Sequence, residues 1–297
     1  MLAKLKKMFG GQDGSKPRLK KVNLDRRFTL LAETAQGSMS RVYKAIDNET
    51  SRTVCLKIQI PEKNLAAAAR AERVDRPDEG EIALKVIHPH VIRTFEHGVS
   101  TRAEHFLVME FIDGVSLQFL RETRACPSLE DQLDVLAQAA EGLAAVHQAG
   151  FIHHDINPRN FISDRDRHIK LFDFGLAVPN TPAFRKPGNR TGALPYMAPE
   201  LVRRETTDER IDVFAFGALA FEFLTGRLPY DATNSMNALL QRINSDPLDP
   251  ARANPDLPGE LHDLLRKLTA RRKDDRTLRM SGVAEALRSI PAGVKRR

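Results

Sequence analysis

The feature that most constrains the fold is a change in the texture of the sequence between residues 112 and 128. Before it, turn residues separate short segments rich in Val, Ile, Phe and Leu, which are typical of strands, at 28–31, 41–45, 53–60, 91–97 and 105–111. After it, apolar residues recur with helical spacing from the N-cap Ser128 until Gly150 ends the run. Chains in which strands precede helices, instead of alternating with them, form α+β folds. We therefore expect a small sheet lobe, a larger helical lobe and a functional site in the cleft between them.

Further helices are predicted on both sides of this change. An Ala-rich helical segment, 65–73, interrupts the strands, and the segments 261–268 and 283–290 are amphipathic. The segment 211–224 is apolar on nearly every side and stops at Gly226, which predicts a helix buried in the middle of its lobe. No stretch approaches the roughly 18 consecutive apolar residues of a membrane-spanning helix, so we expect no transmembrane segment.

The net charge of +7 comes from the ends of the chain. Residues 1–27 hold nine Lys or Arg against two Asp, which already equals the charge of the whole chain. Nucleic acid is not an expected partner, because nucleic-acid readers interleave basic and aromatic residues on one face, and this chain has no Trp and only three Tyr. We interpret residues 1–26 chiefly as a solvated, flexible basic tail, with peripheral contact to an acidic membrane or protein as the alternative.

The cysteine content and the N-terminal residues indicate the cellular compartment of the protein. Cys55 and Cys126 are too few for a disulfide framework or a four-ligand zinc site. Residues 1–9 mix three lysines with apolar residues, and no apolar core or cleavage site of a secretory signal follows them. These features favour a reducing cytoplasm.

The clearest chemical signature is the segment 151–162, which reads FIHHDINPRNFI. Eleven residues after it comes Asp173-Phe174-Gly175. In this order and spacing, the two motifs resemble the catalytic loop and the metal-binding motif of protein kinases. Met39-Ser40 in addition resembles a variant of the glycine-rich loop of bacterial Ser/Thr kinases. The resemblance extends from about residue 28 to about residue 290.

The resemblance implies the fold and the domain limits. It implies an α+β, two-lobed protein-kinase-like fold, with a small N-terminal antiparallel β-sheet lobe and a larger, mainly α-helical C-terminal lobe. The kinase domain would span residues 27–290, divided into an N-lobe at about 27–112 and a C-lobe at about 113–290. Residues 1–26 precede it as the basic tail, and residues 291–297 follow it as a second one.

The resemblance also implies roles for three polar side chains. Asp155 would accept the proton of the attacking hydroxyl, while Asn160 and Asp173 would hold the metal ion that bridges the ATP phosphates. Carboxylate and amide oxygens suit a hard cation. The expected cofactors are therefore ATP and Mg²⁺, with Mn²⁺ as an alternative metal.

Lys57, in Val54-Cys55-Leu56-Lys57, matches the strand lysine that pairs with the α- and β-phosphates in the family. Its acidic partner is expected on the next helix. Alignment with the family favours Glu79, and Glu81 and Glu72 are the two alternatives. Pro77 and Gly80 flank Glu79 and are poor residues for a helix interior. We therefore expect this helix to begin late or to be mobile.

The glycine-rich loop is represented by a reduced version of its pattern. Alignment of Val42 with the valine of the family motif places Ala35, Gly37 and Ser40 at the three glycine positions. Gly37 still permits the close backbone approach that amide-to-phosphate contacts require. These four residues are expected to line the nucleotide site.

The segment 109–112 resembles the hinge between the lobes. Its backbone groups would bind adenine, and Met109 would guard the back of the pocket. The expected nucleotide-binding residues in this segment are Met109, Glu110 and Ile112.

Ala198-Pro199-Glu200 matches the element that closes the activation segment of protein kinases. In the family, Glu200 would pair with Arg276, and Asp212 would brace the catalytic loop from the buried helix. Kinase-like enzymes that act on small molecules generally lack this element, so the expected partner is a protein substrate.

Three residues depart from the family pattern. His154 replaces the Arg that normally gathers a phosphate on the activation segment, so we expect activity that does not depend on that phosphorylation. Asn157 replaces a Lys and Ala193 replaces a Thr. Asn157 is expected to act in catalysis beside Asp155 and Lys57, but loss of one charge-stabilising donor typically costs roughly 10²–10³ in rate.

The leading hypothesis is an ATP- and Mg-dependent protein kinase that transfers the γ-phosphoryl group to Ser/Thr hydroxyls, with weak activity. Two alternatives remain open at this point. One is a pseudokinase that binds nucleotide and acts as a regulatory scaffold, and the other is a kinase-fold enzyme with a non-protein acceptor.

Overall fold

The computed structural model describes residues 21–36, 40–60, 76–187, 191–230, 235, 237, 239–240, 244–276 and 279–291. A sheet comes first in the chain, and a mainly helical region follows it. The prediction of a two-lobed α+β fold is confirmed.

Six strands form the sheet of the N-lobe: β1 (Lys21–Val22), β2 (Phe28–Gln36), β3 (Ser40–Asp47), β4 (Arg52–Gln59), β5 (Thr94–Ser100) and β6 (His105–Glu110). Their spatial order is β1-β5-β6-β4-β3-β2, with antiparallel pairing throughout except between β1 and β5. A short helix, α1 (Leu24–Arg27), precedes β2. Alternate side chains of these strands form one apolar core with Leu24 of α1: Phe28, Ala45, Val54, Leu56, Ile58, Phe106 and Val108.

One predicted strand is displaced along the sequence. The apolar run at 91–97 predicts a strand there, but β5 begins only at Thr94. Val91 instead forms an isolated bridge with Leu171, and the Ile92 amide donates to the Leu171 carbonyl at 2.9 Å. The prediction was wrong at the N-terminal end of this strand because the first residues of the apolar run pair with the C-lobe. Hydrophobicity alone does not show which segment of the chain a strand pairs with.

The N-lobe also contains helix α2 (Glu79–Lys85). It begins at Glu79 because Asp78 occupies the N-cap, where the Asp78 amide donates to the Glu81 carboxylate at 3.2 Å. Pro77 therefore lies outside the helix. Position 80, in the first turn of α2, is a glycine because a Cβ there would overlap the side chain of His97 on β5. The helical segment predicted at 65–73, together with Glu72, lies outside the described residues.

The C-lobe is built from helices and short strands. Its helices are α3 (Leu117–Glu122), α4 (Leu129–Gln148), α5 (Pro199–Val202), α6 (Arg210–Thr225), α7 (Pro250–Ala253), α8 (Gly259–Leu268) and α9 (Met280–Ser289). Its strands are β7 (Gly114–Ser116), β8 (Phe151–Ile152), β9 (Phe161–Asp164), β10 (Ile169–Leu171) and β11 (Val178–Pro179). β7, β9 and β10 form one small sheet, and β8 pairs with β11.

Helix α6 lies in the middle of the C-lobe, as its all-round apolar sequence predicts. It ends at Gly226, whose φ of 72° lies in the left-handed region that favours glycine. Gly217 on the same helix contacts α8 so closely that a Cβ would overlap Leu268. Among the described residues, no helix has the length and apolar character needed to cross a membrane.

Candidate active site

Lys57 contacts two carboxylates, one from its own lobe and one from the C-lobe. It lies on β4, and its Nζ is 2.6 Å from Oε1 of Glu79 on α2 and 2.8 Å from Oδ1 of Asp173 in the C-lobe. Burial acts to lower the pKa of Lys57, but the two carboxylates outweigh it, so its pKa is raised. Lys57 is therefore fully charged at neutral pH and suited to bind phosphate oxygens.

The predicted acidic partner of Lys57 is the one present in the structure. Glu79 uses Oε1 for Lys57, and its Oε2 accepts a hydrogen bond from Gln59 Nε2 at 3.1 Å. Glu81 instead caps α2 through the Asp78 amide. Gln59 follows Lys57 by two residues, so the two side chains lie on the same face of β4. The role of Gln59 was not predicted from the sequence, although this spacing in a strand indicates it.

A second link between the lobes was also missed in the sequence. Arg76, three residues before Glu79, donates to the carbonyl oxygens of Gly175 at 2.6 Å and Ala177 at 3.2 Å. These carbonyls belong to the last residue of the metal-binding motif and to the residue two positions after it. Burial lowers the pKa of Arg76, but an arginine keeps its charge at neutral pH. Arg76 thus holds the start of the activation segment against α2.

We expect replacement of Glu79 by Gln to weaken ATP binding, because a neutral amide leaves Lys57 paired with Asp173 alone. The KM for ATP should rise roughly tenfold or more. Glu81→Gln is the matched control, since Glu81 lies in the same helical turn without contacting Lys57. Steady-state kinetics at varied ATP concentration test this prediction. Equal KM values in both variants would contradict it.

The catalytic-loop carboxylate is held by two donors. Asp155 Oδ1 accepts from the Ala193 amide at 3.0 Å, and Oδ2 accepts from Asn160 Nδ2 at 2.9 Å. Gly192, next to Ala193, has a φ of 107° and lies so close to the His154 carbonyl that a Cβ would overlap it. The activation segment thus contributes a backbone donor to Asp155, although the Thr side chain of the family pattern is absent.

Asp212 on α6 braces this loop from behind. Its carboxylate accepts from the backbone amides of His153 at 2.7 Å and His154 at 2.9 Å, and it also contacts His147 Nε2 at 2.9 Å. Burial acts to raise the pKa of Asp212, but the hydrogen bond and charge of His147 outweigh it, so the pKa is lowered. The carboxylate therefore stays ionised and holds His154 at a φ of 67°.

His154 itself is a neutral residue in this environment. Burial lowers its pKa. Its Nδ1 lies 3.3 Å from the Thr191 hydroxyl, while Nε2 is buried without a hydrogen-bond partner among the described residues. A neutral imidazole does not attract a phosphate as an arginine does.

Asn157 stabilises the loop backbone. Its Nδ2 donates to the Asp155 carbonyl oxygen at 3.1 Å, and its Oδ1 accepts from the Arg159 amide at 3.0 Å. The side chain is buried and bonds the backbone of Asp155 rather than its carboxylate. Its predicted role in catalysis stays a prediction.

The metal-binding prediction fits the atoms that remain available. The amide nitrogen of Asn160 is committed to Asp155, so its side-chain carbonyl oxygen is left for a cation. Asp173 uses Oδ1 for Lys57 and for the Gly175 amide at 3.3 Å, which leaves Oδ2. Burial acts to raise the pKa of Asp173, but Lys57 outweighs it, so the pKa is lowered. One carboxylate oxygen and one amide oxygen suit a hard divalent ion.

The residues predicted to bind the nucleotide are on the strands around Lys57. Val42 on β3 pairs with Lys57 on β4 and, on its other side, with the backbone of Ala35 on β2. Ser40 begins β3. Gly37 lies outside the described residues, as does the side chain of Ala35.

The predicted hinge leads from β6 into the C-lobe. Met109 pairs with Cys55 on β4 and packs against the C-lobe core. Glu110 accepts from the Arg93 amide at 2.7 Å and from Lys170 Nζ at 2.8 Å. Ile112 is half-buried just after the sheet ends. The sheet and the C-lobe thus meet at Glu110, beside the expected adenine position.

The pair Glu200–Arg276 anchors the end of the activation segment. Both Arg276 terminal nitrogens donate to the Glu200 carboxylate, at 2.6 and 2.8 Å, and the exposed fractions of the two side chains are 0% and 3%. The remaining N–H groups of Arg276 donate to three carbonyl oxygens, those of Ala270, Arg210 and Arg271. The predicted pair is therefore present and fully hydrogen-bonded.

Two lobes joined by the Lys57–Asp173 contact, with Glu79 pairing the same lysine and with an aspartate and an asparagine available to a metal ion, define a protein of the kinase class. A model of the protein kinase domain matches residues 28–288. The chain belongs to the protein kinase domain family. Members of this family use ATP with a divalent metal ion and act on protein substrates.

Several bacterial relatives are similar to the chain over most of its length. It is 30% identical over 272 residues to the probable serine/threonine-protein kinase pknA2 of Bifidobacterium longum, covering 91% of this chain and 36% of that protein. It is 30% identical to PknL of Mycobacterium tuberculosis, covering 89% and 65%, and 27% identical to PrkC of Bacillus subtilis, covering 82% and 37%. The chain thus spans between about a third and two thirds of the length of these relatives.

Proposed function

We propose that this chain transfers the γ-phosphoryl group of Mg²⁺-bound ATP to Ser or Thr hydroxyls of proteins. The observation that supports it most is the position of Lys57 between Glu79 and Asp173, at 2.6 and 2.8 Å. This contact brings the phosphate-binding lysine of one lobe to the metal-binding carboxylate of the other. Relatives named as serine/threonine kinases support the choice of acceptor, and the comparisons favour neither alternative.

The residues divide the work of transfer. Asp155, oriented by Ala193 and Asn160, would accept the hydroxyl proton at the oxygen that faces the acceptor. Lys57 would orient the α- and β-phosphates, and Asn160 with Asp173 would hold the metal ion. When bound, the metal ion neutralises charge that develops between the β- and γ-phosphates.

Several finer statements belong to this proposal. We propose Mg²⁺ as the physiological metal, with Mn²⁺ as a substitute, because the available donors are both oxygens. We also propose a kinase domain at 27–290 between two basic tails. The solvated N-terminal tail, the absence of a nucleic-acid partner and the cytoplasmic location stay predictions.

Mass spectrometry of the pure protein after incubation with Mg²⁺ and ATP, together with a generic protein substrate, tests the function. We expect phosphate on Ser or Thr residues and none after EDTA removes the metal. Label on a small molecule alone would indicate a different acceptor. Nucleotide binding without any transfer would indicate a pseudokinase.

Restoration of the family residues should increase the rate. Asn157→Lys combined with Ala193→Thr adds a charged donor and a hydroxyl next to Asp155, so we expect kcat to rise by about tenfold or more. Ala193→Thr alone is the control, because it adds the hydroxyl without the charge. A kcat that stays unchanged or falls would show that Asn157 is already suited to this active site.

A further inference from the structure

One cation of the catalytic loop has no role in the transfer described above. Arg159 directly precedes Asn160, whose amide donates to the Asp155 carboxylate. Its side chain is exposed, whereas Asn157 and Asn160 on either side are buried. Arg159 therefore presents its side chain to solvent only four residues after Asp155 in the same loop.

The orientation of the Arg159 guanidinium is set by α3. Its Nε donates to Gln118 Oε1 at 2.8 Å, and Gln118 Nε2 donates to Glu122 Oε1 at 2.7 Å. Because Glu122 engages the amide nitrogen, the carbonyl oxygen of Gln118 is turned toward Arg159. Within the described part of the chain, the two terminal nitrogens of Arg159 have no hydrogen-bond partner. Such a planar pair of donors matches the two oxygens of a carboxylate.

The nearby acidic residues are already engaged by another arginine. Arg121 forms ion pairs with both Glu222 and Glu122, and Glu222 also accepts from the Tyr196 hydroxyl at 2.5 Å. Arg159, by contrast, forms no ion pair with a carboxylate in the described ranges. Arg159 therefore carries, four residues from Asp155 in the chain, a positive charge that no carboxylate among the described residues neutralises.

We propose that Arg159 selects protein substrates that carry an Asp or Glu side chain within a few residues of the acceptor hydroxyl. The carboxylate of the substrate would accept from the two terminal nitrogens of Arg159. This inference rests on the proposed function, and it adds a substrate class to it: acidic segments of proteins. A basic substrate residue at the same position would be repelled.

Two matched series of peptides test the proposal. Each peptide has one Ser acceptor in a neutral background, with a single Asp, or an isosteric Asn, at each flanking position in turn. For the unmodified chain, we expect Asp to raise kcat/KM over Asn by roughly three- to tenfold at one or two positions, mainly through KM. The ratio should approach one in Arg159→Gln. In Arg159→Glu, the preference should invert in favour of Asn, because the introduced carboxylate repels Asp, a result that a merely structural role would not produce.

Arg165→Gln is the control variant. Arg165 is also an exposed arginine of the C-lobe, and its partner is Asp113 on the surface. It should keep the Asp preference of the unmodified chain. An Asp preference that survives in Arg159→Gln would overturn the proposal, as would equal kcat/KM values for all Asp and Asn peptides.

Peptide binding separates this proposal from the proposed function. Fluorescence anisotropy with labelled Asp and Asn peptides measures affinity without turnover, so a chain that transfers no phosphate still gives a result. Tighter binding of an Asp peptide that is lost in Arg159→Gln supports the role of Arg159. Equal affinities overturn it, whether or not phosphoryl transfer is observed.

Discussion

Asp155→Asn is expected to lower kcat by roughly 10²–10⁴, the range that a positioned general base contributes. The amide has nearly the same shape as the carboxylate, but it cannot accept the hydroxyl proton. It can also turn its nitrogen toward the Ala193 amide, which now donates to Oδ1 at 3.0 Å. The KM for ATP should change little, because Asp155 does not contact Lys57 or its partners.

The measurement is single-turnover transfer from labelled ATP, which isolates the chemical step from product release. Asp166→Asn is the matched control. Asp166 lies in an exposed turn between β9 and β10 of the same lobe. The rate of phosphoryl transfer by Asp166→Asn should therefore equal that of the unmodified chain. A single-turnover rate constant for Asp155→Asn within about threefold of that value would remove Asp155 from the proposed mechanism.

Glu200→Gln should cost the folded protein about 3–5 kcal/mol of unfolding free energy. The substitution leaves the Arg276 guanidinium buried, with its positive charge uncompensated and facing a neutral amide. The ring of Phe214, whose centroid lies 4.9 Å from the guanidinium carbon, offers only weak compensation. The loss is therefore larger than that of a single hydrogen bond.

Urea unfolding followed by circular dichroism measures this cost. The control is Glu141→Gln, which removes one partner of the half-exposed pair with Arg288. We expect it to cost less than about 1 kcal/mol, because water solvates both partners. If Glu200→Gln cost no more than the control, the Glu200–Arg276 pair would not be the anchor that its burial indicates.

The catalytic loop and the metal-binding motif were recognised in the sequence through their resemblance to protein kinase motifs, whose residues are close in the chain and keep a fixed spacing. Asp155 and Asn160 are five residues apart, and the loop between them closes on itself through Asn157. The same holds for the long helix α4, whose N-cap Ser128 and apolar period are local properties. Such features do not depend on the distant parts of the fold.

Contacts between distant segments were predicted less completely. Family register gave Glu79 as the partner of Lys57, yet Glu81 and Glu72 could not be dismissed, since a helix of unknown start has no fixed face. In the structure, Asp78 is the N-cap of α2, so the helix begins at Glu79 and the face that Glu79 occupies is fixed. Arg76 and Gln59, which hold the same carboxylate and the adjoining loop, were missed because neither has a signature of its own.

The sequence alone determined the order of the lobes, the buried helix α6 and the residue types that can bind phosphate and metal, because hydrophobic period and motif spacing act over short stretches of chain. Only the tertiary structure decided which strand end pairs with the other lobe, which carboxylate meets Lys57 and where Asn157 directs its amide. The first two outcomes depend on groups more than twenty residues apart in the chain, and the third depends on which backbone group of the folded loop lies within reach of Asn157. A buried polar group accepts whichever partner the packing brings within hydrogen-bond distance.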